Sequence, residues 1–503
     1  MSVRIMSPTL GKLTEVPAAL GDRIALVDQG RRWSYRELRT AADELAAAMR
    51  MDGLVGERVA LMLPNCVDLV TAYLASFTAG AIAVPLNARY APPEVEQVLR
   101  RARPRWLVVH TDRLGTLARL DQALLDGTRV IVVGESGSSD VGRDNAYDAV
   151  LRSGRGKSAS SSDVLADAAA VIFFTSGSTG RPKGVVHSHS SALAMLTSTS
   201  EAFGDAQPDD VVQVFEPLVH VSGFIATFTI LLAGGTVALY EGFDAAAYAH
   251  ALTLHRPTLI CTHVDILAQL LQLPGVCRDW FSSLRGVYTG GDVVPHAVQR
   301  EFLQVSGLPI RVGYGMTEAI WLTVQREART DRDGCIGRPL RTVRLRIDES
   351  TGELLVAGPM VMQRYWDDET HTSETLVDGW LHTGDLAQHD EQGVWWFTGR
   401  IKDVIVRRTS KITPGEVETA LGQHPGVMMA AVVGAPDPAE GEVPVAFVVP
   451  RPDADLSPAE LTKFLHGLIA AYKVPARIHL RRTLPLTASG KISRNDLIES
   501  DHA

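Results

Sequence analysis

The alternation of apolar and polar positions from about residue 20 onward predicts alternating helices and strands. Leu38, Ala42, Leu45 and Met49 fall on one helical face. RVALML then reads as a strand, VDLVTAYLASFTAG as a helix and AIAVPL as a further strand. WLVVH and TRVIVV are short, apolar and β-branched, the pattern of strands buried on both faces of a parallel sheet. SGRGKSASSSD reads as an exposed loop. GFIATFTILLAGGTVALY, the most apolar stretch, is interrupted by Thr227 and Thr229 and by Gly234-Gly235, so it is expected to be buried core and not a membrane span. The fold class expected is α/β.

Near residue 400 the pattern changes. GRIKDVIVRR is followed by two helix starts, Thr413-Pro-Gly-Glu416 and Ser457-Pro-Ala-Glu460, each with the spacing of a capping box and proline at the first helical position. VMMAAVVG and VPVAFVV read as strands between them, so about one hundred C-terminal residues form a compact α+β unit with its own core. The expected organisation is a large domain over 1–399, a connector at 400–403 and a small domain over 404–503.

Length supports this division, because 503 residues exceed what one core usually holds. A net charge of -9 without a basic block makes nucleic acid an unexpected partner. Four cysteines, Cys66, Cys261, Cys277 and Cys335, form no C-x-x-C pair, which argues against a disulfide framework or a zinc site and suits a reducing cytoplasm. The opening MSVRIMSPTLGKLTEV lacks the apolar core of a signal peptide.

The strongest local chemistry is VIFFTSGSTGRPKGVVHSH. An apolar strand runs into Thr175, Ser176, Gly177, Ser178, Thr179, Gly180 and Lys183. Small and hydroxylated residues let backbone N–H groups and hydroxyls approach phosphate oxygens, and the lysine adds a point charge. The alternative is a Ser/Gly-rich surface turn. It is not a Walker loop, since G-x-x-x-x-G-K-[ST] is absent.

TSGSTGRPKG resembles the signature of the adenylate-forming superfamily, which includes acyl-CoA synthetases, peptide-synthetase adenylation domains and firefly luciferase. Further matches follow in that family's order: PLVHVSG at Pro217 to Gly223, TGGD at Thr289 to Asp292, GYGMTE at Gly313 to Glu318, HTGDL at His382 to Leu386, GRIKD through Arg400 to Asp403, and PLTASGKISR at Pro485 to Arg494. WSYREL, LPN at Leu63 to Asn65 and VPLN at Val84 to Asn87 extend the likeness over nearly the whole chain.

The resemblance implies a large multi-sheet N-terminal domain, a small mobile C-terminal domain, and roles for particular residues. Tyr314 would flank the adenine, with Gly290, Gly291 and Asp292 on the other face and Gly313, Gly315 and Met316 completing the nucleotide site. Thr317 would bind the α-phosphate and Glu318 would hold Mg2+, a hard cation suited to carboxylate oxygens. Asp385 would take the ribose diol and Arg400 would support it. Lys402 matches the hinge, and Lys491 the mobile catalytic lysine whose charge offsets that growing at the α-phosphorus. The implied reaction activates an acid or other oxyanion with ATP, releases pyrophosphate and needs no covalent enzyme nucleophile.

One segment departs from the family. Acyl-CoA synthetases carry two glycines just after the hinge, where the pantetheine arm passes. Here the positions belong to Arg408 and Thr409. Either CoA remains the acceptor, with Arg407 and Arg408 reaching its phosphates, or an amine takes its place, as in an amide synthetase or a nitrite-dependent aryl-amine diazotase. A silent nucleotide-binding homologue would have lost Lys491, Glu318 or the phosphate loop, and all are present. His220, Phe224 and Trp321 are candidate liners of the acid pocket, with plain core packing as the alternative for Phe224 and Trp321.

Overall fold

The computed structural model describes residues 9–14, 20–134, 145–159, 164–175, 182–242, 244–328, 333–408, 410–451, 454–486 and 492–501, without the side chains of 12 and 14. The α/β reading holds: a large N-terminal region contains two sheets, of fourteen and seven strands among the described residues, and a smaller C-terminal unit contains a five-stranded sheet.

The expected helix forms at Tyr35–Met51 and buries Leu38, Ala42, Leu45 and Met49. Its start is a full capping box, with Ser34 accepting from the Glu37 N–H and the Glu37 carboxylate accepting from Ser34 N. The apolar runs become parallel neighbours of the seven-stranded sheet: Arg58–Met62 lies between Ile82–Pro85 and Trp106–His110, with Arg129–Val133 beyond. GFIATFTILLAGGTVALY divides into the helix Val221–Ala233 and the strand Thr236–Leu239. Gly234, at φ +86°, makes the left-handed turn between them, a conformation that favours glycine. One core joins both sheets through the apolar helices Val67–Ala79 and Val221–Ala233. Among the described residues no helix is long and apolar enough to cross a membrane.

The C-terminal unit has its own apolar clusters, one built on Ile405, Val417, Leu421, Ala446 and Leu461, another on Ala431, Val445, Phe447 and Leu497. Its two expected helix starts differ. Ser457 accepts from the Glu460 N–H at 3.2 Å, which is half of the predicted box; the Glu460 carboxylate lies toward His424 and makes no reciprocal bond. Thr413 makes no side-chain cap bond and lies instead against Gly399, so the helix Pro414–Gly422 begins on its proline without the predicted box.

Candidate active site

Four adjacent strands of the large sheet run parallel, Val211–Val214, Leu259–Cys261, Gly286–Gly290 and Ile310–Met316. Three of the motifs sit at their carboxyl ends: PLVHVSG follows the first strand, TGGD closes the third and GYGMTE closes the fourth. The carboxyl edge of such a sheet is where α/β proteins bind ligands. Backbones approach closely there. A Cβ on Gly290 would lie 2.6 Å from the Gly313 carbonyl oxygen, and one on Gly313 would lie 1.4 Å from the Trp321 ring, so only glycine fits at 313.

Tyr314 is buried, and its hydroxyl donates to Asp385 Oδ2 at 2.6 Å. Burial, and after it the Asp385 carboxylate, holds the phenol well above its usual pKa, so it remains a donor. Asp385 and Arg400 face each other on the antiparallel strands Trp380–His389 and Trp395–Arg400, and Arg400 Nε lies 3.3 Å from Asp385 Oδ1. The structure thus brings Tyr314, Asp385 and Arg400 into one cluster from three motifs.

Thr317 and Glu318 form the turn between Ile310–Met316 and Ala319–Gln325. His187 Nε2 lies 2.8 Å from the Thr317 carbonyl, to which it must donate. Burial lowers His187 to a pKa of about 4, so the ring is neutral at ordinary pH. Glu318 is held twice, its carbonyl by Met362 N at 2.8 Å and its Oε1 by the Tyr365 hydroxyl at 2.8 Å. Neither His187 nor Tyr365 is apparent as a site residue in the sequence. Tyr365 stands 47 residues from Glu318 with no local spacing to betray the contact.

The phosphate-loop candidate leaves the strand Ala169–Thr175 and returns on Lys183–Ser188, with Thr175 opposite Lys183. A strand–loop–strand hairpin confirms the departure from the Walker arrangement, in which a helix follows the loop. Ser176, Gly177, Ser178, Thr179 and Gly180 lie outside the described residues, as do Thr409 and Lys491. Lys183 Nζ sits 5.1 Å above the Tyr365 ring. Among the described residues no group of three or more His, Cys, Asp or Glu gathers to hold a metal. Glu318 sets a carboxylate beside the strand that pairs with the phosphate-loop strand.

His220 precedes the helix Val221–Ala233 as its N-cap residue. Phe224 is fully buried among Tyr73, Phe77, Phe173 and Phe228. Trp321 packs edge-on to Phe203 and Tyr288, and its buried Nε1 has no hydrogen-bond partner among the described residues.

Lys402 lies in the short turn Ile401–Asp403 between the two units. Past it, Arg408 turns the hairpin Ile405–Arg407/Ser410–Ile412 at φ +55°, a left-handed conformation where glycine is unstrained. Its guanidinium reaches Glu440 at 3.2 Å, which also pairs with Arg407. Leu486 and Ile492 bridge in antiparallel fashion. Burial opposes the charge of the nearby Arg494, but Glu418, Asp292 and Asp403 hold its pKa above the usual value. Arg494 pairs with Glu418 at 2.9 Å and lies 3.8 Å from Asp403, next to the connector.

Comparison with known proteins agrees with this geometry. A family model described as AMP-binding enzyme matches residues 13–366, and one for the AMP-binding enzyme C-terminal domain matches 416–491. A methyl-dioxo-octahydro-indenyl propanoyl:CoA ligase of Mycobacterium tuberculosis is 35% identical, covering 97% of this chain and 99% of that protein. Among solved structures, ATP-bound MatB from Rhodopseudomonas palustris is 27% identical with a TM-score of 0.88, covering 98% of this chain and 99% of its own. The amide bond synthetase McbA from Marinactinospora thermotolerans is 28% identical with a TM-score of 0.85, covering 97% and 98%.

Proposed function

The chain belongs to the AMP-binding, adenylate-forming enzymes, and on that premise we propose that it activates a carboxylic acid with ATP and hands the acyl group to CoA. It is an AMP-forming ligase of the acyl-CoA synthetase type. In the first step a carboxylate oxygen attacks the α-phosphorus, the bond to pyrophosphate breaks, and an acyl-adenylate forms. In the second the CoA sulfur attacks the acyl carbon, AMP leaves, and the thiol proton passes to solvent.

The observation that carries the nucleotide reading is the strand Ile310–Met316 with its turn. Tyr314 is tied to Asp385 at one end; at the other, Thr317 is tied through His187 to the phosphate-loop strand and Glu318 to Tyr365, which pairs with that strand. Three residues of extended chain span roughly 10 Å, the scale of a nucleoside 5′-phosphate. On this reading the Tyr314 ring flanks the base between itself and the Gly290–Asp292 backbone. Asp385 accepts from the ribose hydroxyls, with Arg400 holding its carboxylate in place. Thr317 binds the α-phosphate. Lys183 and the loop at 175–180 steady the departing pyrophosphate, and Lys491 neutralises charge at the reacting oxygens.

No cluster of three or more acidic, His or Cys ligands gathers among the described residues, which fits Mg2+, since that ion completes its shell with phosphate oxygens and water and seldom needs an all-protein cage. Glu318 is the residue that would hold it, and it would supply charge neutralisation for the polyphosphate. The units act as a large domain at 1–399, a hinge at Lys402 within 400–403 and a small domain at 404–503. None of the four cysteines forms a disulfide among the described residues, which suits a cytoplasmic setting.

CoA is favoured as acceptor because Arg408 adopts a left-handed turn of the kind glycine makes without strain, and its guanidinium is exposed and drawn toward Glu440. In that position it can meet the CoA phosphates. The second reading, an amine acceptor, draws on the same replacement of glycine and on the likeness to an amide bond synthetase. AMP release from ATP, Mg2+ and a panel of carboxylic acids, with and without CoA, separates them. The expected outcome is a thioester with AMP release that depends on CoA. AMP release without CoA, accompanied by an amide when amines are added, would replace CoA by the amine.

A further inference from the structure

Glu318 is fixed by a short segment that belongs to the other sheet. Residues 363–366 are zipped to the strand Lys183–Ser188 by Gln363 N to Val186 O at 2.9 Å and Trp366 N to Gly184 O at 2.6 Å, with Tyr365 opposite Val185 in register. A Cβ on Gly184 would stand 3.0 Å from the Trp366 Cβ, so the two segments are in close contact. The Tyr365 backbone N–H donates to Thr372 Oγ1 at 2.9 Å, which fixes the residue from the outer side as well. Its side chain is 5% exposed. The ring therefore has little rotational choice. One face carries Lys183 Nζ at 5.1 Å, a cation–π distance, while the hydroxyl donates to Glu318 Oε1 at 2.8 Å.

We infer that Tyr365 is a positioning residue for the ATP step: it locks the Glu318 carboxylate with Oε1 engaged and Oε2 turned to the cation, and holds Lys183 in register beside it. This rests on the assignment of Glu318 to the divalent cation. Glu318 stands on the large sheet and Lys183 on the smaller one, so two groups that act on the same polyphosphate come from separate layers. Without a strut the carboxylate would sample several rotamers and each binding event would have to order it. A phenylalanine keeps the ring, its packing and the cation–π contact, and removes only the hydroxyl.

The test is Mn2+ binding, read by electron paramagnetic resonance, to enzyme saturated with a non-hydrolysable α,β-methylene ATP analogue. It is run on wild type, Tyr365→Phe and Glu318→Gln, with metal-free analogue binding and melting temperature measured alongside. A hydrogen bond to a charged group predicts that Tyr365→Phe weakens Mn2+ binding by about tenfold, with metal-free analogue binding and melting unchanged. Mn2+ binding at wild-type strength in Tyr365→Phe, with Glu318→Gln weakened, would overturn the role of Tyr365 and leave that of Glu318 standing. Equal loss of analogue binding with and without metal would also overturn it, since that is the mark of a structural role alone. Wild-type Mn2+ binding in Glu318→Gln would remove the cation assignment and this inference with it.

Discussion

Asp385 is 7% exposed and is approached by the Tyr314 hydroxyl and the Arg400 guanidinium, so its carboxylate is held rigidly before any ribose arrives. Replacing it with alanine leaves the phenol without its acceptor and, on the proposed reading, removes the diol contact. Asp385→Ala is expected to raise KM for ATP by about ten- to a hundredfold with the KM for the acid unchanged, as steady-state kinetics will read. Tyr314→Phe, which keeps the ring, is expected to cost less than Asp385→Ala in the same assay. A second expectation concerns acid. His187 has a folded pKa of about 4, depressed by burial from 6.5. Above 6.5 it is neutral whether folded or unfolded and the full stability is present. As pH falls below 6.5 only the unfolded chain takes up the proton, so stability is lost down to the folded value. Between pH 6.5 and 5 the loss is about 2 kcal/mol, and thermal denaturation of His187→Gln should show a flatter slope over that range than wild type. Tyr314, Thr317, Glu318 and Asp385 were legible in the sequence because each lies inside a short motif. His187 and Tyr365 were not, because each acts through a contact with a residue distant in sequence.

At the scale of elements, strands such as Arg58–Met62 and Trp106–His110 were readable because β-branched apolar runs have few other uses, and the helix Tyr35–Met51 because its apolar face repeats every three to four residues. The cap at Thr413 was misread because the motif fixes only which bond is possible. Here the Thr413 side chain makes no cap bond and its methyl end lies beside Gly399. The hairpin at Arg408 shows the reverse case, in which an arginine occupies a left-handed backbone position that glycine would take without strain. Arg408→Gly would relieve about 1 kcal/mol of backbone strain, and its exposed pair with Glu440 contributes little to offset that gain. On the CoA reading this variant leaves adenylation unchanged and raises KM for CoA several-fold, because a phosphate partner is lost. Improved use of CoA by the same variant would mean that the arginine obstructs the thiol path and would favour the amine.

For the whole molecule, the order of strands was beyond the sequence, since pairing such as Cys335–Pro339 with Trp395–Arg400 joins segments far apart in the chain and leaves no periodic trace. The two-unit division was legible, because the C-terminal stretch carries its own strands, helices and core. The units meet through sparse polar contacts, Arg451 with Glu301 at 3.1 Å and a close approach of Gly422 to Asp333, beside a cleft of about 500 Å³ lined by Leu271, Gln272, Val298 and Met428. Contacts of that kind suit a unit that is proposed to turn about Lys402 between the two steps. The central claim, attack of a carboxylate on the α-phosphorus, is tested most directly by turnover of an 18O-carboxylate substrate with ATP, Mg2+ and CoA, with the nucleotide product weighed by mass spectrometry. The account predicts AMP carrying one 18O atom from the acid, together with unlabelled pyrophosphate. Unlabelled AMP, or ADP with labelled phosphate, would contradict it.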